Sequence, residues 1–140
     1  MTLDGLYECL IEEGYGPLIV ERGPWGLAIG DFRIVRRDGS FTLGWSERGE
    51  VLETVLVTSD EQAACNAFRA EVASLSLHLV ASEDRATIER LGAAVTAAGI
   101  AVRRNDIPNF NGPGDVRYRI FVDGRDLARG REIVASLETD

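Results

Sequence analysis

Short runs of β-branched and aromatic residues, each closed by a glycine-containing break, dominate the first half of the chain. The runs lie at residues 18–20, 27–29, 32–37, 41–45 and 51–57. The sharpest break is Asp38-Gly39, because this pair suits the positive φ angles of a two-residue hairpin turn. A second turn is predicted at residues 47–50. Turns this short join antiparallel neighbours, so the pattern predicts an antiparallel β-meander of three or four strands.

Helical periodicity is found on both sides of this meander. Residues 3–13 carry apolar side chains at helical spacing, and Gly14 is expected to end that helix. Ser59 and Gln62 have the spacing of a reciprocal capping box, which predicts a second helix start. The face of this helix that should lie on the sheet carries Ala64, Cys65, Phe68, Val72 and Leu75.

The second half of the chain reads as strand, helix, strand, strand, helix. Strands are predicted at residues 77–81, 100–104 and 116–122, although residues 77–81 could instead extend the preceding helix. Residues 82–84 are expected to cap the next helix, and Gly99 to end it. The closing helix carries Leu127, Gly130, Val134 and Leu137 on its inner face. The sequence therefore predicts an α+β protein. Residues 1–76 should form a helix, an antiparallel sheet and a second helix, and residues 77–140 should form a β-α-β-β-α layer. The two parts are expected to pack together as one compact unit.

The charge is acidic and unevenly distributed. The net charge is −8, and residues 1–76 carry 13 acidic and 6 arginine side chains, whereas residues 77–140 carry 10 and 9. A surface of this sign repels a phosphate backbone, so nucleic acid is disfavoured and a basic partner is favoured. Solubility alone is the alternative explanation. No segment reaches the roughly 20 apolar residues of a membrane span, and residues 1–5 lack the basic start of a signal peptide, which predicts a cytoplasmic protein without membrane contact.

The residues that usually carry catalysis are scarce. All fifteen basic residues are arginine, which excludes catalytic lysines, and His78 is the one histidine. Cys9 and Cys65 are expected to be small apolar residues, since two cysteines and one histidine cannot complete a tetrahedral metal site. Glu47 with Glu50, or Asp106 with Asp115, could form an acid/base pair, but nothing in the sequence indicates that either pair faces a cleft. We therefore predict a protein that is not an enzyme, with no cofactor and no metal.

Arginines on the last predicted strand suggest an alternative role. Arg117 and Arg119 are two residues apart, so they should share one sheet face, and Arg103 is expected to join them from the preceding strand. Such a cluster suits an anionic metabolite, which would make the second half a ligand-binding regulatory domain. Pairing with Asp106, Asp115 and Asp123 on a solvated face is the competing interpretation.

Two pairs of segments resemble a known class of protein. Residues 41–49 (FTLGWSERG) and 59–65 (SDEQAAC) resemble the hairpin-plus-helix of small bacterial immunity proteins. Such proteins neutralise polymorphic or contact-dependent toxins. The second half of such proteins resembles residues 104–108 (RNDIP) and 117–122 (RYRIFV), so the likeness spans residues 32–123. The resemblance implies an antidote that binds a cognate toxin domain, such as a nuclease or an NAD-hydrolysing enzyme, and blocks its active site.

The expected partner-binding residues come from the acidic and aromatic surface candidates. Aromatic side chains rimmed by charge are typical of interface anchors, although Trp25 and Trp45 could equally pack under the sheet. The predicted toxin-facing residues are Trp45, Glu47, Glu50 and Glu53, with Asp106 and Phe110 as a second patch. We expect a monomer or a weak homodimer.

Overall fold

The computed structural model describes residues 1–47 and 50–138; the side chains at positions 47, 50, 51 and 52 lie outside the description. The predicted turn through Arg48 and Gly49, and the predicted contacts of the Glu47 and Glu50 side chains, therefore fall outside the described residues. The chain comprises two compact units, Met1–Ala73 and Ser74–Asp140. No described helix is long and apolar enough to cross a membrane. The α+β class predicted from the sequence is confirmed.

The first unit is a five-stranded antiparallel sheet with two helices. Its elements are α1 (Leu3–Glu12), a short 3-10 turn (Gly16–Leu18), β1 (Ile19–Gly23), β2 (Gly26–Ile29), β3 (Phe32–Arg37), β4 (Ser40–Glu47), β5 (Glu50–Thr58) and α2 (Glu61–Ser74). The strands follow one another in spatial order, so β1 and β5 form the two edges. The meander thus contains five strands, because the short runs at residues 18–20 and 27–29 pair as well.

The core of the first unit lies on one face of this sheet. Leu27, Ile34 and Leu43 lie side by side across β2, β3 and β4 and are almost completely buried. On the same face the ring of Phe32 stacks on Phe68 of α2, with centroids 4.9 Å apart, and touches Trp45 at 5.1 Å. This aromatic cluster joins α2 to the sheet.

Local turn and cap chemistry explains where these elements begin and end. Asp38 and Gly39 adopt φ angles of 51° and 79°, which confirms the predicted hairpin. Gly14, with a φ of 91°, ends α1 as predicted. The predicted capping box at Ser59 is wrong: the Asp60 carboxylate accepts the Ala63 N–H at 3.3 Å, and α2 begins one residue later, because Asp is an equally good cap.

The second unit carries its helices on one face of a small antiparallel sheet. Its elements are β6 (Ser76–Ser82), α3 (Arg85–Ala97), β7 (Arg103–Arg104), β8 (Ile107–Pro108), β9 (Val116–Asp123), a 3-10 turn (Gly124–Asp126) and α4 (Leu127–Glu138). Strand β9 is central and pairs with β6, β7 and β8. The strand predicted at residues 100–104 is shorter than expected, because Ile100 is buried in the core and only two residues pair with β9. Asp84 caps α3, accepting the Ala86 N–H at 3.2 Å.

Candidate partner-binding surface

The outer edge of β5 is one of the two open edges of the first unit's sheet. Among the described residues no strand pairs with its free side. Glu53 is exposed, and Val55 and Val57 are 48% and 59% exposed. Because β-branched residues favour strands but are normally half-buried there, two exposed valines on an unpaired strand mark an unusual surface. We call strand β5, Glu50–Thr58, with its free side the β5 edge.

The register shows how these side chains are presented. Val57 lies opposite Thr42, on the sheet face away from the buried Leu43 row. Val55 is the extra residue of a β-bulge, since Leu43 pairs with Leu56 and Gly44 pairs with Thr54. Bulges re-aim side chains and are concentrated at sheet edges and functional sites. The bulge therefore gives the β5 edge an exposed apolar side chain that strict alternation would have placed elsewhere.

The predicted partner residue Glu53 forms no ion pair with the described residues. It lies opposite Trp45, and no arginine in the described part of the chain is within ion-pair distance of it. Trp45 itself is only half-exposed, because its ring packs against Phe32 in the core cluster. Of the two, Glu53 is the side chain that is available to a partner.

A polar network on the sheet face was missed by the sequence reasoning. The Arg33 guanidinium donates two hydrogen bonds to Glu21, at 2.8 and 2.9 Å, and its Nε donates to Ser46 Oγ at 2.6 Å. Ser46 in turn donates to the Asp31 carbonyl at 3.1 Å. The Arg33 guanidinium holds the pKa of Glu21 below its usual range, chiefly by hydrogen bonding. The one sequence signal for this network is the alternation of β3, which places Arg33 on the sheet face away from the buried Ile34.

The second predicted patch belongs to the second unit. Asp106 accepts two hydrogen bonds from Arg104, at 3.1 and 2.9 Å, and a weaker one from the Arg119 N–H. The bonds from Arg104 are the main reason that the pKa of Asp106 lies below its usual range. Phe110 is 49% exposed, with the Arg117 guanidinium 5.5 Å from its ring. Phe110 is therefore accessible to a partner, whereas the Asp106 carboxylate is already hydrogen-bonded to Arg104.

The arginines of the alternative ligand site share a face but differ in their partners. Arg103 forms an ion pair with Asp123 at 2.5 Å and a hydrogen bond to Ser76, and Arg119 donates to the backbone and side-chain oxygens of Asn105 at 2.8 and 2.9 Å. No described carboxylate is within ion-pair distance of Arg117, so the predicted pairing with Asp115 is not formed. One arginine of the three is thus open to an anion.

His78 lies beside this arginine face. Its ring meets Phe121 edge-on, with centroids 5.5 Å apart. Burial lowers the pKa of His78, and the charges of Arg119, Arg117 and Arg131 lower it further. His78 is exposed at this face, and its described ring contact is with Phe121. No cluster of metal-ligating side chains occurs among residues 1–47 and 50–138.

The two cysteines are free thiols. Cys65 is fully buried in the first unit, and burial, with a smaller effect of Glu61, raises its pKa to about 11. Such a thiol is a poor nucleophile, because the thiolate is the reactive form. Cys65 therefore acts as a small apolar core residue.

No protein-family model, curated protein sequence or solved structure matches this chain.

Proposed function

We propose that this chain is a non-enzymatic immunity protein that binds a cognate bacterial toxin domain in the cytoplasm and blocks it. The observation that carries the proposal is the β5 edge, where Val55 and Val57 are exposed and where Glu53, on the sheet face of Trp45, is exposed with no ion-pair partner among the described residues. An apolar centre with charge at its rim is the usual composition of a protein-binding surface. The resemblance of residues 41–49 and 59–65 to immunity proteins includes the strand and the helix that flank this edge.

The charge of the first unit indicates the kind of toxin that fits. Between residues 45 and 61 there are five acidic residues and one arginine, in a chain of net charge −8. Electrostatic complementarity speeds association and selects partners, so a basic toxin domain suits this surface. Nucleases are often basic because they bind phosphate backbones, and an NAD-hydrolysing toxin with a basic surface would fit equally.

Growth rescue tests this function directly. The neighbouring gene is expressed in the same cell, with and without this chain, and the affinity of its purified product for this chain is measured. We expect rescue, and we expect Glu53→Arg to weaken binding by about tenfold, which corresponds to about 1.4 kcal/mol. Reversal at Glu47 and Glu50 tests the remaining predicted acidic contacts in the same way.

A matched control separates a local contact from a change in net charge. Glu8→Arg makes the same charge change at an exposed position on α1 and should leave the affinity within about twofold at physiological salt. Equal losses for Glu53→Arg and Glu8→Arg would remove Glu53 from the interface. Absence of both rescue and binding would overturn the immunity function.

A second candidate function rests on Arg117. Because Arg117 has no carboxylate partner among the described residues and shares a face with Arg103 and Arg119, the second unit could hold an anionic metabolite. Stabilisation of the chain by phosphate, citrate or a nucleoside monophosphate, lost in Arg117→Ala, would favour this function. It ranks second because its other two arginines are already engaged within the unit.

A further inference from the structure

The two edges of the five-stranded sheet differ in how they are protected. Natural sheets protect edges with short strands, prolines, lysines or fixed charges. Strand β1 has five residues, and its central Glu21 and Arg22 are fixed by Arg33 and by the ring of Tyr7, 3.6 Å from the Arg22 guanidinium. Strand β5 has nine residues and no proline, and it carries a bulge at Val55 and the exposed charge of Glu53, which no described residue fixes by an ion pair.

Strand β5 has unpaired backbone groups along this edge. In an antiparallel pair, every second residue directs its N–H and C=O groups away from its neighbour. Strand β5 has β4 on one side only, so these groups face outward beside Val55 and Val57. A strand edge of this kind can bind an extended segment through main-chain hydrogen bonds, with side-chain contacts setting specificity.

We propose that the β5 edge binds its partner by strand addition, accepting an extended basic segment as a sixth strand of the sheet. This inference rests on the proposed immunity function and specifies how the toxin is held. The valines at positions 55 and 57 contact the apolar residues of the added strand. Glu53, and the acidic residues that flank the strand in sequence, select arginine or lysine on the partner.

Charge disfavours a second copy of this chain as the occupant in the register centred on Val55. Antiparallel self-pairing centred on Val55 would place residue 50 of one copy opposite residue 60 of the other, and both are acidic. Asp60 cannot turn away without giving up its cap of α2, where it accepts the Ala63 N–H. Like charges directly opposite each other destabilise a strand pair. A basic partner strand meets no such penalty.

Lysine substitutions at exposed valines test the mode of binding. A lysine on an edge strand disfavours strand addition, and an exposed position tolerates it with little loss of folding stability. Val57→Lys and Val55→Lys should each weaken toxin binding by about tenfold or more. The matched control is Val20→Lys, because Val20 is 61% exposed on the opposite edge of the same sheet; it should change the affinity by less than about twofold.

Two probes are used with each variant. One is the purified toxin domain from the neighbouring gene, and the other is a synthetic peptide of about ten alternating arginine and valine residues, with a glutamate and valine peptide as its control. Hydrogen–deuterium exchange of the wild-type chain follows the amides of residues 53–58. Both basic probes should slow this exchange, and the acidic peptide should not. This measurement needs no substitution, so it holds even if a lysine variant fails to fold.

The outcomes separate this inference from the proposed function. Toxin binding with protection of residues 53–58 supports both. Toxin binding with protection elsewhere, or equal affinity of Val57→Lys and Val20→Lys, overturns strand addition and leaves the immunity function standing. Protection by the basic peptide without toxin binding supports the edge and overturns the toxin as its partner. No binding of either probe overturns both.

Discussion

Truncation of Phe68 tests how the first unit is held together. The side chain is completely buried and stacks on Phe32 at 4.9 Å, with 14° between the rings, so Phe68→Ala removes the aromatic contact between α2 and the sheet. Phenylalanine-to-alanine changes in cores cost about 3–5 kcal/mol, which is a large share of the roughly 5–15 kcal/mol that stabilises a domain. As a control, Phe110→Ala, at a side chain 49% exposed, should change stability by no more than about 0.5 kcal/mol.

Tryptophan fluorescence during urea unfolding isolates this unit. The chain has two tryptophans, Trp25 and Trp45, and both belong to residues 1–73. Trp45 is 5.1 Å from Phe32, so its emission reports on the aromatic cluster itself. With a slope of about 1–3 kcal/mol per molar urea, the midpoint should fall by about 1 M or more. A loss below about 1 kcal/mol in a folded Phe68→Ala protein would show that the stack does not hold α2 to the sheet.

Two further predictions concern the core and the backbone. Cys65 has a pKa of about 11 in the folded state, whereas the thiol of the unfolded chain ionises near pH 9. The stability due to its burial is therefore complete below pH 9 and is lost as the pH rises to 11. Urea titrations at increasing pH should show this loss, and Cys65→Ala should lack it. Gly26→Ala should destabilise the first unit by about 2 kcal/mol or more in the fluorescence assay, because the added carbon would lie 1.9 Å from the Ile34 carbonyl oxygen at a φ of 145°. Gly92→Ala, inside α3, would place its added carbon 3.4 Å from Ile120 Cδ1, an ordinary contact, and should be neutral or stabilise by up to about 1 kcal/mol in thermal unfolding followed by circular dichroism.

The parts of the fold that depend on local chemistry could be predicted from the sequence. The Asp38-Gly39 hairpin, the end of α1 at Gly14 and the cap of α3 at Asp84 each depend on a few adjacent residues. The start of α2 was misassigned by one residue because Ser59 and Asp60 are both good caps, and only the packed helix decides between them. Local signals of equal strength leave such a choice to tertiary contacts.

The candidate surface was only partly predictable, because its decisive property is the absence of a neighbour. The sequence identified the acidic side chains near β5 but not that this strand lies at the sheet edge, which depends on the order of all five strands. It predicted Trp45 as an anchor, whereas the ring lies half-buried against Phe32. The sequence also did not predict that Asp106 and Arg33 are already bonded to charged groups, Arg104 and Glu21. A charge is available to a partner only when it has no such intramolecular bond.

This distinction between engaged and unengaged charge bears on how a partner would approach. In each unit three arginines are paired with carboxylates in the described part of the chain, among them Arg33 with Glu21 and Arg103 with Asp123, so part of the charge of both units is cancelled at short range. The first half of the chain carries the larger acidic excess, and Glu53 has no arginine partner among the described residues. Because paired charges give little field beyond a Debye length of about 8 Å, the unpaired acids dominate what an approaching protein senses. Long-range attraction and the open strand edge therefore belong to the same unit, which would bring a basic partner to the surface that can bind it.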